Sequence, residues 1–171
     1  MTAARESTEG GELTASSGRA PGQEPAEPLL SLDQLRAGYG PIEAVRELSL
    51  SVHEGEIVAL IGANGAGKSS TLRAISGLLR PTGGSIRFRG REIAGLPAYR
   101  VARLGIGHVP EGRGILARLT VEENVAAGAI HLPAATARRR IQEQLQRFPV
   151  LSQRRRQLAG TLSGGEQQML A

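Results

Sequence analysis

Ile57-Val58-Ala59-Leu60-Ile61 runs directly into Gly62-Ala63-Asn64-Gly65-Ala66-Gly67-Lys68-Ser69, a short apolar run followed at once by a glycine-rich one. Five apolar residues, mostly β-branched or Leu, predict a strand buried on both faces. The next eight match G-x-x-x-x-G-K-[ST], the phosphate-binding P-loop. Three glycines let the backbone curl so that successive N–H groups form an anion nest that no side chain crowds. Lys68 adds a point charge for the β- and γ-phosphates, and the Ser69 hydroxyl suits Mg²⁺, which prefers hard oxygen ligands. A helix beginning here would aim its positive end at the same anion. A glycine-rich turn that happens to contain Lys-Ser is the plain alternative; the strand before it and the helical pattern after it argue against that.

The chain before the loop divides in two. Residues 1–28 are rich in Gly, Ser, Thr, Pro, Ala and Glu without apolar periodicity, so a disordered tail is expected. Order is expected from 29 to 171, beginning with a strand marked by Leu29, Leu30, Leu32 and Leu35 and broken by Gly38-Tyr39-Gly40-Pro41. Leu48, Leu50 and Val52 alternate with Ser49, Ser51 and His53, the pattern of a half-exposed antiparallel strand.

After the loop, Leu72, Ile75, Leu78 and Leu79 predict one apolar helical face, ended by Gly77 and Pro81. Pro81-Thr82-Gly83-Gly84 reads as a turn, and Ile86 and Phe88 face inward against Arg87 and Arg89 in an exposed-edge strand. A short helix around 97–104 leads to Ile106-Gly107-His108-Val109, a second candidate for a buried strand. Residues 110–150 read as a helical insertion. It contains a capping box at Thr120-Val121-Glu122-Glu123 and a helix from about Thr136 with an Ile141, Leu145, Phe148 stripe. The triplets Arg138–Arg140 and Arg154–Arg156 are expected to be solvated faces.

Composition narrows the function classes. No cysteine is present, so neither a disulfide nor a thiolate metal site is available. No apolar run approaches the roughly 18 residues of a membrane helix, and the first residues lack a secretory apolar segment, which points to an intracellular soluble protein. The net charge is +5, and of 21 basic residues only Lys68 is a lysine. A pI near 10.9 would suit nucleic acid, but two Tyr, two Phe and no Trp supply few stacking platforms, so none is expected as a partner.

The chain closes with Leu162-Ser163-Gly164-Gly165-Glu166-Gln167-Gln168. Ser163 and Glu166 make a second capping box, with two glycines leaving a helix start open to an anion. The P-loop together with this later segment resembles the ATP-binding subunits of ABC transporters. Val109-Pro110-Glu111-Gly112-Arg113, Leu119–Asn124, Phe148-Pro149 and Ala159–Leu170 are similar to the second ATPase subunit of branched-chain amino-acid importers, with a urea-uptake relative close by.

The resemblance implies an α/β P-loop NTPase fold of the ABC type: a mixed sheet around the P-loop strand, an antiparallel β edge subdomain, and a helical subdomain at about 112–168. It implies ATP and Mg²⁺ as cofactors, with Tyr39 against adenine, Gly62, Ala63, Asn64, Gly65, Ala66, Gly67 and Lys68 around the phosphates, Ser69 on Mg²⁺ and Ser70 on the α-phosphate. Leu162, Ser163, Gly164, Gly165 and Glu166 would act on ATP held by a second subunit, identical or paralogous. Integral-membrane permease subunits would complete the assembly at the cytoplasmic face of the plasma membrane. Glu111 stands where the family usually has Gln, a departure that places a carboxylate near the γ-phosphate.

Family members continue beyond the signature helix into an Asp-ended strand, a Glu that polarises water, and a switch His. None of these follows here, so the fold is expected to be C-terminally incomplete, the chain hydrolysis-deficient alone, and the edge of 57–61 uncovered. His53, His108 and His131 all precede the signature. A binding-only nucleotide-binding fragment and a non-transport ABC ATPase are the other readings.

Overall fold

The computed structural model describes residues 14–17 and 27–171. The tail expected over 1–28 lies largely outside these; within it, Thr14–Ser17 forms a strand, β1. The chain divides into two compact units, residues 1–108 and 109–171.

The first unit holds a four-stranded antiparallel sheet in the order β3-β2-β5-β6, with β2 at Leu30–Tyr39, β3 at Ile42–Val52, β5 at Pro81–Phe88 and β6 at Arg91–Glu92. The β2–β3 turn is only Gly40-Pro41, so Gly38 and Tyr39 remain in the strand. The inward residues of β2 do not keep period two: Leu32 and Leu35 are three apart, yet both are buried. Register shifts on either side of Leu35 and a left-handed Gln34, at φ 46°, absorb the extra residue. In β3 Val45 and Leu48 show the same spacing around Glu47, at φ 50°. The two bulges face each other, and the Gln34 amide donates to Ser49 Oγ at 2.9 Å.

Several expectations are corrected in this unit. Pro81–Gly84 is not a turn but the start of β5, paired along β2 from Ala37↔Pro81. The chain bends there because Gly84, at φ 77°, tucks against the Gln34 carbonyl, where a Cβ would stand 2.3 Å from that oxygen. β5 is also interior to the sheet, since β6 covers its other side over two residues. Ile106–Val109 forms no strand, and Val109 is exposed.

The helix after the glycine loop, α1, spans Lys68–Ile75 and ends at Gly77, φ 73°. Its inward side is Thr71, Ala74 and Ile75, with Leu79 just beyond. Leu72 and Leu78, expected inside, are exposed because the sheet meets the other side of the helix. Ala74, Ile75 and Leu79 join Leu35, Val45, Ile86, Ile93 and, from α2 (Ala98–Arg103), Val101 in the core of the unit. Fully burying each Leu or Ile stabilises by about 1.5–3 kcal/mol.

β4 is Val58–Ile61, and among the described residues it pairs only with β1, antiparallel, from Ser17↔Val58 to Thr14↔Ile61. It is not buried on both faces: Ile57 is 87% and Ile61 61% exposed, since a two-stranded ribbon has no layer packed over each side.

The second unit is helical, as the 110–150 pattern suggests. Its helices are α3 (Val121–Gly128), α4 (Ala134–Arg147), α5 (Pro149–Gln153) and α6 (Gly164–Leu170), with a 3₁₀ turn at Ala159–Thr161. Both capping boxes form. Val121, Leu145, Leu151 and Leu162 make a separate core, with Ile141 and Phe148 packed against it. The arginine triplets are exposed, as expected of solvated faces, and they form ion pairs at the surface. Arg155 grips Glu122 with two bonds of 2.7 and 3.1 Å, Arg154 meets Glu166 at 2.9 Å, and Arg139 and Arg140 both pair with Glu143. No helix among the described residues is long and apolar enough to cross a membrane.

Candidate functional site

The loop from Gly62 to Gly67 leaves β4 and enters α1 as a turn closed by the Ala66 amide on the Ala63 carbonyl, 3.2 Å. Gly65 and Gly67 have φ of 87° and 94°, a conformation that costs L side chains energy. Gly67 is also held by packing. A Cβ there would lie 2.1 Å from the carbonyl oxygen of Ala44 in β3, so the loop is pressed onto the sheet. At Gly65 a Cβ would meet nothing within 4 Å.

Lys68 opens the helix, and its Nζ donates to the carbonyl oxygens of Gly62 and Ala63, each at 2.7 Å. The ammonium thereby closes the mouth of its own loop. Ala63, Asn64, Gly65 and Ser69 face solvent. The first-turn amides of α1 have no carbonyl one turn back to accept them, so they add donors beside the ammonium. Three features fit a polyphosphate: a glycine cradle that a side chain would fill, a fixed cation, and a helix start. The exposed Ser69 hydroxyl is a hard oxygen suited to Mg²⁺, and among the described residues no cluster of three or more His, Cys, Asp or Glu competes for a metal.

Tyr39, at the end of β2, is half-exposed, and its hydroxyl accepts from Arg73 Nη1 at 3.1 Å. The guanidinium bond, helped by a Ser70 hydrogen bond, lowers the phenol's pKa below its ordinary value. Tyr39 is therefore tied to the same helix that carries Lys68, Ser69 and Ser70. Sequence reading missed Arg73, since 34 residues separate the pair and no local pattern links them.

In the second unit, Ser163, Gly164 and Gly165 are exposed, while Leu162 is buried in the core and anchors the segment. The Ser163 hydroxyl accepts from the Glu166 amide and the Glu166 carboxylate accepts from the Ser163 amide, at 3.4 and 2.8 Å. These bonds, led by the Ser163 backbone amide, hold the Glu166 carboxyl below the usual carboxylate range. Glu111 lies exposed in a turn of the loop that opens this unit. Arg113, quoted in the sequence but given no role, donates to Gln167 Oε1 at 2.6 Å.

Residues 45–171 match the family model described as ABC transporter. The chain is 48% identical over 143 residues to the high-affinity branched-chain amino acid transport ATP-binding protein BraG of Pseudomonas aeruginosa, covering 84% of this chain and 61% of that one. It is 37% identical over 143 residues to the probable branched-chain amino acid transport ATP-binding protein LivF of Archaeoglobus fulgidus, with the same coverage of 84% and 61%. Among solved structures, an ATP-binding subunit of an ABC transporter superposes with a TM-score of 0.68 at 34% identity, over 83% of this chain and 59% of that one. A nucleotide-free ATP-binding cassette from an ABC transporter superposes at 0.66 with 22% identity, over 84% and 62%, a likeness of fold. The chain thus spans about 61% of the length of these curated relatives.

Proposed function

This chain belongs to the ABC transporter family, and from that premise we propose that it acts as the ATP-binding subunit of an importer for a small solute, branched-chain amino acids above others. The observation that carries the reading is the Gly62–Ser69 loop, pinned to the sheet at Gly67 and closed by Lys68, whose charge is set to exchange two carbonyl partners for phosphate oxygens. The 48% identity to BraG supports the solute class.

In this reading the chain supplies binding and orientation. The loop amides and Lys68 hold the β- and γ-phosphates, Ser70 contacts the α-phosphate, and the Tyr39 ring stacks on adenine with Arg73 fixing its hydroxyl end. Mg²⁺, held by Ser69, would neutralise charge on the phosphate oxygens. Glu111 stands where the family usually has Gln, and a carboxylate at that position would act on Mg²⁺ or the attacking water. Leu162–Glu166 closes over ATP bound to a second ABC subunit, excluding water and strengthening each polar contact. Permease subunits at the inner face of the plasma membrane receive the motion through the helical unit.

Equilibrium titration with a fluorescent ATP analogue, in the wild type and in Lys68→Ala, tests the first step. Co-purification with a hydrophobic permease tests the assignment to transport. Wild-type binding no tighter than the variant's would end the nucleotide reading. Tight nucleotide binding without permease capture would end the transport one.

A further inference from the structure

We propose that Arg113 is a positioning residue for the Leu162–Glu166 segment, acting through Gln167. Its consequence for ATP rests on the two-subunit reading above; its structural part does not.

Three observations converge. Gly112, Arg113 and Gly114 are consecutive left-handed residues, with φ of 83°, 72° and 70°. Glycine adopts this conformation freely, whereas a residue with a side chain does so only against steric strain. Flanked by two glycines, Arg113 occupies a position where a third would relax the backbone, so its side chain must return something for the strain. The return is a charge-assisted bond from Nη1 to Gln167 Oε1 at 2.6 Å, across 54 residues of sequence.

Gln167 passes the constraint on. Its Nε2 donates to the carbonyl oxygens of Leu162, 3.1 Å, and Gly160, 3.4 Å, on the approach to α6. The amide can satisfy both sides only in this orientation, because the guanidinium offers donors alone and the carbonyls accept alone. The guanidinium also borders Gly164, where a Cβ would lie 3.2 Å from Nη2. One arginine thus braces the segment from the side and, through one amide, from below. It lies two residues after Glu111, so the loop of Glu111 and the start of α6 are set against each other within one subunit.

The test uses the full chain with Arg113→Gly, Gln167→Ala and the double variant. Arg113→Gly removes the side chain and relieves the backbone, so it folds with an unchanged or raised Tm. Amide hydrogen exchange at 162–167 is expected to speed up about tenfold in each single variant and no further in the double one. The affinity of the P-loop for a fluorescent ATP analogue should stay within twofold of wild type, while MgATP-driven self-association weakens about tenfold. Unchanged exchange at 162–167 in Arg113→Gly, or additive effects in the double variant, would overturn the proposal. If exchange responds as described but the wild type does not self-associate with MgATP, the two-subunit reading falls and the positioning role stands.

Discussion

The ammonium of Lys68 lies 2.7 Å from the carbonyl oxygen of Gly62, the first residue of its own loop. A second bond of equal length reaches Ala63. A cation already solvated by protein carbonyls gives up less hydration when a phosphate arrives, and its side chain is ordered beforehand. Lys68→Ala should therefore raise the Kd for MgATP about 10- to 100-fold, the worth of a charge-assisted bond of ~1.5–3 kcal/mol. Lys68→Arg should fail to restore it, because a planar fork cannot replace a compact point charge in the loop. Fluorescence titration reads both.

Two glycines of the loop predict different costs. Gly65→Ala meets open space and should lose about 1 kcal/mol, the backbone cost alone, at φ 87°. Gly67→Ala would also drive a methyl to 2.1 Å from the Ala44 oxygen, so the loop must lift from β3. Thermal denaturation should show a clearly larger loss for Gly67→Ala, accompanied by loss of nucleotide affinity. Equal losses would contradict the packing account.

The Tyr39 phenol has its pKa lowered by the Arg73 hydrogen bond first and the Ser70 bond second. Arg73→Ala should move the phenolate absorbance transition of Tyr39 up toward its ordinary value near 10, with the Tyr99→Phe background removing the other tyrosine. A depressed pKa favours the ionised form in the folded state. The Arg73 contribution to stability is therefore larger above the folded pKa than below it.

Glu166 has a carboxyl pKa depressed mainly by the Ser163 amide, and Glu123 by the Thr120 amide. The stabilisation is present above the ordinary carboxylate pKa and is lost as pH falls through the lowered folded values. Acid titration followed by circular dichroism should show helix loss as the pH falls below the ordinary carboxylate range. Ser163→Ala should weaken α6 by about 1 kcal/mol and flatten the part of that profile due to Glu166.

Sequence read well where the physics is local. The glycine loop, both capping boxes and the Ile141, Leu145, Phe148 stripe depend on residues a few positions apart, and these elements form. It read poorly where a distant partner decides. Pro81–Gly84 has turn composition, yet β2 lies alongside and recruits it into a strand, with Gly84 supplying the bend. Leu72 and Leu78 look like core residues, but Thr71 and Ala74 are small enough to let α1 sit closely on the sheet. Tyr39 with Arg73 and Arg113 with Gln167 join residues whose separation hides them from any local pattern.

Leu35, Ile86 and Val101 belong to one apolar cluster, Val121, Leu145 and Leu162 to another. Cooperativity arises when side chains share a single interior, and here each unit has its own. Heating should accordingly produce two calorimetric steps, with the helical unit, whose interior is the smaller, melting first. A ligand held only by the first unit would shift the upper step and leave the lower one in place.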